Sequence, residues 1–181
     1  MARLVDAYDS LLLDLDGVVY LGAQAVAHAI ESINTAQAQG LKIGYVTNNA
    51  SRKPETIASQ LEGFGLSVQP DEVIGSARAA VKMLSERIPA GSKVLVVGGE
   101  GLTSEVEAAG FELVLSASDN PAAVIQGFSP DVGWKHLADA AYAIQAGAIW
   151  VATNQDWTIP REQGIAPGNG TLVSAVHTAV G

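Results

Sequence analysis

Short apolar runs alternate with segments of helical period along this chain, and that alternation constrains its fold more than any other feature. Strand, helix and strand in series mark an α/β protein with a largely parallel sheet. The first run, residues 11–15 within "LLLDLDGVVYLG", reads as a buried strand. Residues 25–39 carry Val26, Ile30 and Ile33 on one helical face, and Gly40 follows as a helix-ending glycine. "LKIGYVTNN" is a second strand that runs into a polar loop. Pro54 opens the next helix with Ile57, Leu61 and Phe64 inward, and "DEVIGS" is a third, short strand.

A further helix carries Val81, Leu84 and Ile88, and "IPAG" then gives a turn signal. There the pattern restarts. "KVLVVGG", "FELVL", "AAVIQGF" and "AIWVATN" read as strands, with helices over 102–109, 134–145 and 171–180. Two α/β modules are expected, residues 1–88 and 89–181.

Several function classes are excluded early. The 181 residues carry a net charge of −9 and no Lys/Arg cluster to neutralise a nucleic-acid backbone. There is no cysteine, so thiol chemistry, disulfides and Cys-based zinc sites are out. No apolar run is long enough to span a bilayer, and the first residues lack a signal core. No nucleic acid and no membrane are expected as partners, and a cytoplasmic location is.

The chemistry concentrates where two strands end. Ligands of open parallel sheets bind at the carboxyl ends of strands. Asp14 and Asp16 close the first strand, and Thr47, Asn48 and Asn49 close the second. Neighbouring strands would put both groups in one pocket. Two carboxylates this close raise each other's pKa unless a cation lies between them. Magnesium suits that role, being a hard ion held by one or two carboxylates plus phosphate oxygens. One aspartate could attack phosphorus while the other moves protons. The Thr47 hydroxyl and the N–H groups around Asn48 suit phosphoryl oxygens, and Gly17 lets the chain turn sharply beside them.

The residues also carry a resemblance. "LLLDLDGVVYLG" is similar to the first motif, D-x-D-G-[TV], of the haloacid dehalogenase superfamily. "YVTNNASR" resembles the second motif as used by its NagD-like, p-nitrophenylphosphatase-like branch. "WVATNQDWTIPREQGIAPGNGTLVSAV" resembles that branch's T-N-P-D…P-G-N-G stretch, with Gln155 where proline is usual. The resemblance implies a magnesium-dependent phosphomonoester hydrolase acting on a small phosphorylated metabolite through an aspartyl phosphate. Asp14 would be the nucleophile and a metal ligand. Asp16 would be the general acid/base and lend its backbone carbonyl to the metal. Thr47 would bind phosphate, with Asn48 helping to fix it. From the residues themselves, Gly17 and Asn49 are counted with that phosphate site, and Asn154 and Asp156 with the Gly168–Gly170 loop either line the substrate pocket or form a turn and a helix start. It also implies a Rossmann-like core with an inserted C2-type α/β cap, the second module. A homodimer through that cap is a separate expectation.

The family's later lysine and second acidic motif have no counterpart before Gly181. Lys82, Lys93 and Lys135 read as solvated surface. The expectation is therefore a chain that stops short of the remaining core strands. The alternatives are a non-catalytic nucleotide- or metabolite-binding module on the same scaffold, or an inactive fragment of the phosphatase. "VLVVGGEGLTSEV" is the rival motif: Gly99 and Gly101 fit a dinucleotide fingerprint, but Ser104 stands at the third glycine. A turn feeding a helix explains it better.

Overall fold

The computed structural model describes residues 6–161 and 163–181. The chain forms two compact units. One comprises residues up to Thr47 together with Pro54–Gly75, and the other comprises Asn48–Lys53 and Ser76–Gly181. The division falls ahead of the helix Ser76–Ser85, whereas the turn signal in the sequence lies beyond it.

In the first unit, β1 (Ser10–Asp14), β4 (Lys42–Thr47) and β5 (Val73–Gly75) form a parallel sheet in the order β1-β4-β5. Helices α1 (Ala29–Ala38) and α2 (Pro54–Gly63) supply Ile33, Ile57, Ala58 and Leu61 to a core that includes Ile43, Tyr45 and Val73. Strand residues alternate between faces, so these three lie on the packed face. The other face carries Leu12, Val46 and Ile74, exposed to 70%, 38% and 42%. Parallel sheets usually have both faces covered; among the described residues nothing buries this one.

That placement corrects the reading of the first leucine run as buried. β1 lies at the sheet edge, Leu11 and Leu12 are exposed, Leu13 is half-buried, and only Leu15, just past the strand, is fully buried.

The first helix also begins later than its apolar period suggests. β2 (Tyr20–Leu21) and β3 (Gln24–Ala25) pair as a tight antiparallel hairpin, and Val26 N–H donates to the Val19 carbonyl. His28 takes a left-handed conformation, φ 65°, immediately before α1, so the helix axis is set only from Ala29. Gly40, at φ +91°, follows the helix end as expected.

The second unit has a four-stranded parallel sheet in the order β7-β6-β8-β9, built from β6 (Lys93–Val97), β7 (Glu112–Val114), β8 (Ala123–Gln126) and β9 (Ile149–Ala152). Here both faces are covered. α3 (Ser76–Ser85) and α4 (Glu100–Ala108) bring Val81, Leu84, Leu102 and Val106 against Val94, Ile125 and Val151. α5 (Trp134–Gln145) and α6 (Asn169–Val180) bring Ala140, Ala143 and Val176 against Leu95, Val97 and Val124. Central β8 is buried at every position. Ahead of α6 stands an antiparallel hairpin absent from the sequence reading, β10 (Thr158–Arg161) with β11 (Gly164–Pro167). No helix among the described residues is long and apolar enough to cross a membrane.

Tyr45 offers a test of the first core. Its side chain is fully buried and its hydroxyl has no hydrogen-bond partner among the described residues. Burial, and secondarily the Glu72 carboxylate, push its pKa up to about 12. The unfolded chain ionises this group near pH 10. The stabilising effect of keeping it neutral is therefore complete below about pH 10 and is lost as pH rises toward about 12, by up to roughly 1.4 kcal/mol per pH unit. Tyr45→Phe should remove that component of alkaline destabilisation and leave stability at neutral pH equal or higher. Urea unfolding of both proteins across this range checks it.

Candidate functional site

β1 pairs with β4 in parallel register, with Asp14 opposite Val46. The carboxyl ends of both strands thus reach the same sheet edge, and Thr47 ends β4 one residue beyond Asp14's partner. Thr47 is 3% exposed, whereas Asp14 and Asp16 are exposed.

Past β1 the chain turns about one carbonyl. Leu15 O accepts from Val19 N–H at 3.0 Å and from Tyr20 N–H at 3.2 Å, and Gly17 N–H donates to Tyr20 O at 2.7 Å. Gly17 stands at φ +82°, a conformation that disfavours any other L-residue. Buried Leu15, Val19 and Tyr20 pin this turn to the core. Asp14 Oδ1 accepts the Leu15 N–H at 2.8 Å, which fixes one carboxylate oxygen. The Asp14 carboxylate and the Asp16 backbone carbonyl are hard oxygen donors of the kind magnesium takes, with water and substrate oxygens able to complete its shell. The residues present fit the ion.

The remaining expected site residues lie in the second unit, and the structure gives them protein partners. Asn49 Oδ1 accepts from Ser51 N–H at 2.8 Å. Asn48 Nδ2 donates to Asp156 Oδ2 at 2.5 Å, and Asn154 Nδ2 donates to the Asn48 carbonyl at 3.1 Å. Ser76 Oγ donates to the same carbonyl at 2.7 Å. Ser76 was not singled out in the sequence. Its only signal there is a hydroxyl at the start of a helix, which by itself reads as a cap.

The loop 154–156 sits on the first turn of α6. Gly170 N–H donates to Asp156 O at 2.8 Å, and Gly168 N–H to Trp157 O at 2.8 Å. A Cβ on Gly168 would collide with the Asp156 carbonyl, and one on Gly170 with the Gln155 carbonyl. Asn169, 1% exposed, donates to Asn154 O at 2.8 Å, and Thr171 Oγ1 donates to Trp157 O at 2.7 Å. Neither residue caps α6, although both have the chemistry of an N-cap. Gly168 holds that position with no side-chain bond. In "PGNG" the glycines thus make room for a neighbouring backbone and the asparagine ties it down.

The glycine-rich turn after β6 has a similar explanation. A Cβ on Gly101 would lie 2.7 Å from the backbone carbon and oxygen of Arg52. Gly101 N–H donates to Ser51 O at 3.2 Å, Ser51 Oγ donates to Phe128 O at 2.8 Å, and Lys53 pairs with Glu100 at 2.5 Å. The turn is a seat for Asn48–Lys53. Of the lysines, Lys93 donates to the Asp119 carbonyl, and Lys82 and Lys135 are exposed.

Residues 11–112 match the family model described as haloacid dehalogenase-like hydrolase. The chain is 42% identical to D-glycerol 3-phosphate phosphatase of Mycobacterium tuberculosis, over all of this chain and 50% of that protein. It is 37% identical to acid sugar phosphatase of Staphylococcus saprophyticus, over 96% of this chain and 66% of that one. The crystal structure of the M. tuberculosis glycerol phosphate phosphatase in complex with magnesium superposes with a TM-score of 0.94, at 42% identity, covering 99% of this chain and 54% of that one. The p-nitrophenyl phosphatase of Archaeoglobus fulgidus gives 0.86 at 27% identity, over 94% and 64%. The chain therefore spans about half the length of the first relative and 66% of the second.

The close approach at α6 is testable. Gly170→Ala should destabilise by about 1–3 kcal/mol, the usual range for overpacking, because the obstructing atoms are backbone. Gly63→Ala, at the exposed end of α2 where a Cβ meets open space, should be neutral or slightly stabilising. Thermal unfolding of the two variants separates them.

Proposed function

The chain belongs to the haloacid dehalogenase-like hydrolases, and from that membership and the strand-end geometry we propose a magnesium-dependent phosphomonoester hydrolase acting on a small phosphorylated metabolite. The observation that carries this reading is the parallel register that brings Asp14, Asp16 and Thr47 to one sheet edge. The phosphatase names of the relatives support it. Phosphate esters of sugars and of glycerol are the substrate class they suggest.

Asp14 is the nucleophile. Its Oδ1 is tied to Leu15 N–H, so Oδ2 is the oxygen that attacks phosphorus. The P–O ester bond breaks as the aspartyl phosphate forms, and Asp16 gives its proton to the departing alkoxide. In the second half, Asp16 takes a proton from water, the water oxygen bonds phosphorus, and Asp14 leaves with inorganic phosphate as product. Thr47 and the N–H groups beside Gly17 and Asn48 bind the phosphoryl oxygens. Magnesium, held by the Asp14 carboxylate and the Asp16 carbonyl, supplies charge neutralisation when bound.

In this reading the second unit is the cap of a Rossmann-like core, joins two copies as a homodimer, and works in the cytoplasm. Sedimentation velocity tests the dimer, and a purely monomeric protein removes that part.

In the full-length protein, hydrolysis of p-nitrophenyl phosphate should require magnesium, and Asp14→Asn should lower the rate by roughly a thousandfold or more. Turnover retained in the variant overturns the assignment of the nucleophile. Phosphate binding with no turnover by the 181-residue chain returns it to the two non-catalytic alternatives, a binding module or an inactive fragment of the phosphatase.

A further inference from the structure

We propose that Asp156 and Asn154 are positioning residues that lock Asn48, the residue peptide-bonded to Thr47, and do not bind substrate themselves. The inference rests on the reading of Thr47 as a phosphate ligand.

Asn48 is held at both of its polar ends. Its side-chain amide donates to Asp156 Oδ2 at 2.5 Å. Its carbonyl accepts from Ser76 Oγ at 2.7 Å and Asn154 Nδ2 at 3.1 Å, which uses both lone pairs. The partners are far away in sequence, up to 108 residues for Asp156, so the restraint comes from the fold and not from a local turn.

The clamp is itself anchored. Asp156 N–H donates to Asn154 Oδ1 at 3.2 Å, the Asp156 carbonyl accepts from Gly170 N–H at 2.8 Å, and Asn154 O accepts from buried Asn169 at 2.8 Å. A carboxylate accepting from an amide makes a short, charge-assisted bond. The same carboxylate facing a phosphorylated ligand would repel it. The chemistry of Asp156 therefore suits Asn48 better than it suits the anion. Fixing Asn48 beforehand removes conformational freedom that phosphate binding would otherwise have to remove.

The test compares Asp156→Ala with Asp156→Asn, whose amide oxygen still accepts from Asn48. Inorganic phosphate with magnesium is titrated while backbone and side-chain amide signals of Thr47 and Asn48 are followed by NMR. KM and kcat for p-nitrophenyl phosphate are measured in parallel. Asp156→Ala should weaken phosphate binding and raise KM by about fivefold to thirtyfold, with a smaller change in kcat and faster exchange of the Asn48 side-chain amide. Asp156→Asn should restore phosphate affinity and KM to within about twofold of the unaltered chain.

Unchanged phosphate affinity in Asp156→Ala, or equal damage in both variants, overturns the proposal. No turnover by the unaltered chain defeats the hydrolase reading alone, because the phosphate titration still decides the clamp. No phosphate binding by the unaltered chain overturns both.

Discussion

Strands that run the same way bring their carboxyl ends to one edge, and the register between them decides which residues arrive there together. With Asp14 opposite Val46, the residues leaving β1 are Leu15, Asp16 and Gly17, and the residue leaving β4 is Thr47. A slip of one residue would exchange the two faces of β1. It would bring Leu12 and Asp14 to the packed side and turn Leu13 outward. The half-burial of Leu13 and the full burial of Leu15 hold the register. The apolar residues in the aspartate motif thus hold the strand pairing that decides where the aspartates stand.

Much of this was legible in the sequence because it depends on period and punctuation. Gly17 and Gly40 were read as turn and helix end, and both adopt positive φ. Pro54 opens α2, and the alternation of strands and helices runs through both units. What was not legible depends on partners. Nothing local in "LLLDL" tells an edge strand with one open face from a central strand with none, since a parallel strand buried on both sides has the same composition. The hairpin at residues 20–25 overlaps the helical period of Val26, and β10–β11 follow a stretch read only for its polar residues.

The polar site residues divide in the same way. Asp14, Asp16 and Thr47 stand out by residue type and spacing, and the parallel register carries the ends of β1 and β4 to the same side of the sheet. Asn49, Asn154 and Asp156 were found by the same logic, yet each has a partner within the protein. For Asn49 the partner is local, Ser51, whereas Asn154 and Asp156 meet Asn48, more than a hundred residues away. Asn169 and Thr171 make the point on a smaller scale, because a side chain suited to capping its own helix instead holds the loop 154–157.

The seat of that loop on α6 has a consequence for how the sequence can drift. The atoms that crowd Gly168 and Gly170 are backbone atoms of Gln155, Asp156 and Thr158, and the one that residue 155 supplies is its carbonyl group, which every amino acid brings, proline included. Residue 155 can therefore exchange its side chain freely, glutamine here for the proline usual in the branch it resembles, without disturbing the seat. The two glycines have no such latitude. In this loop the recognisable letters and the variable one are sorted by which chain supplies the backbone and which supplies the space.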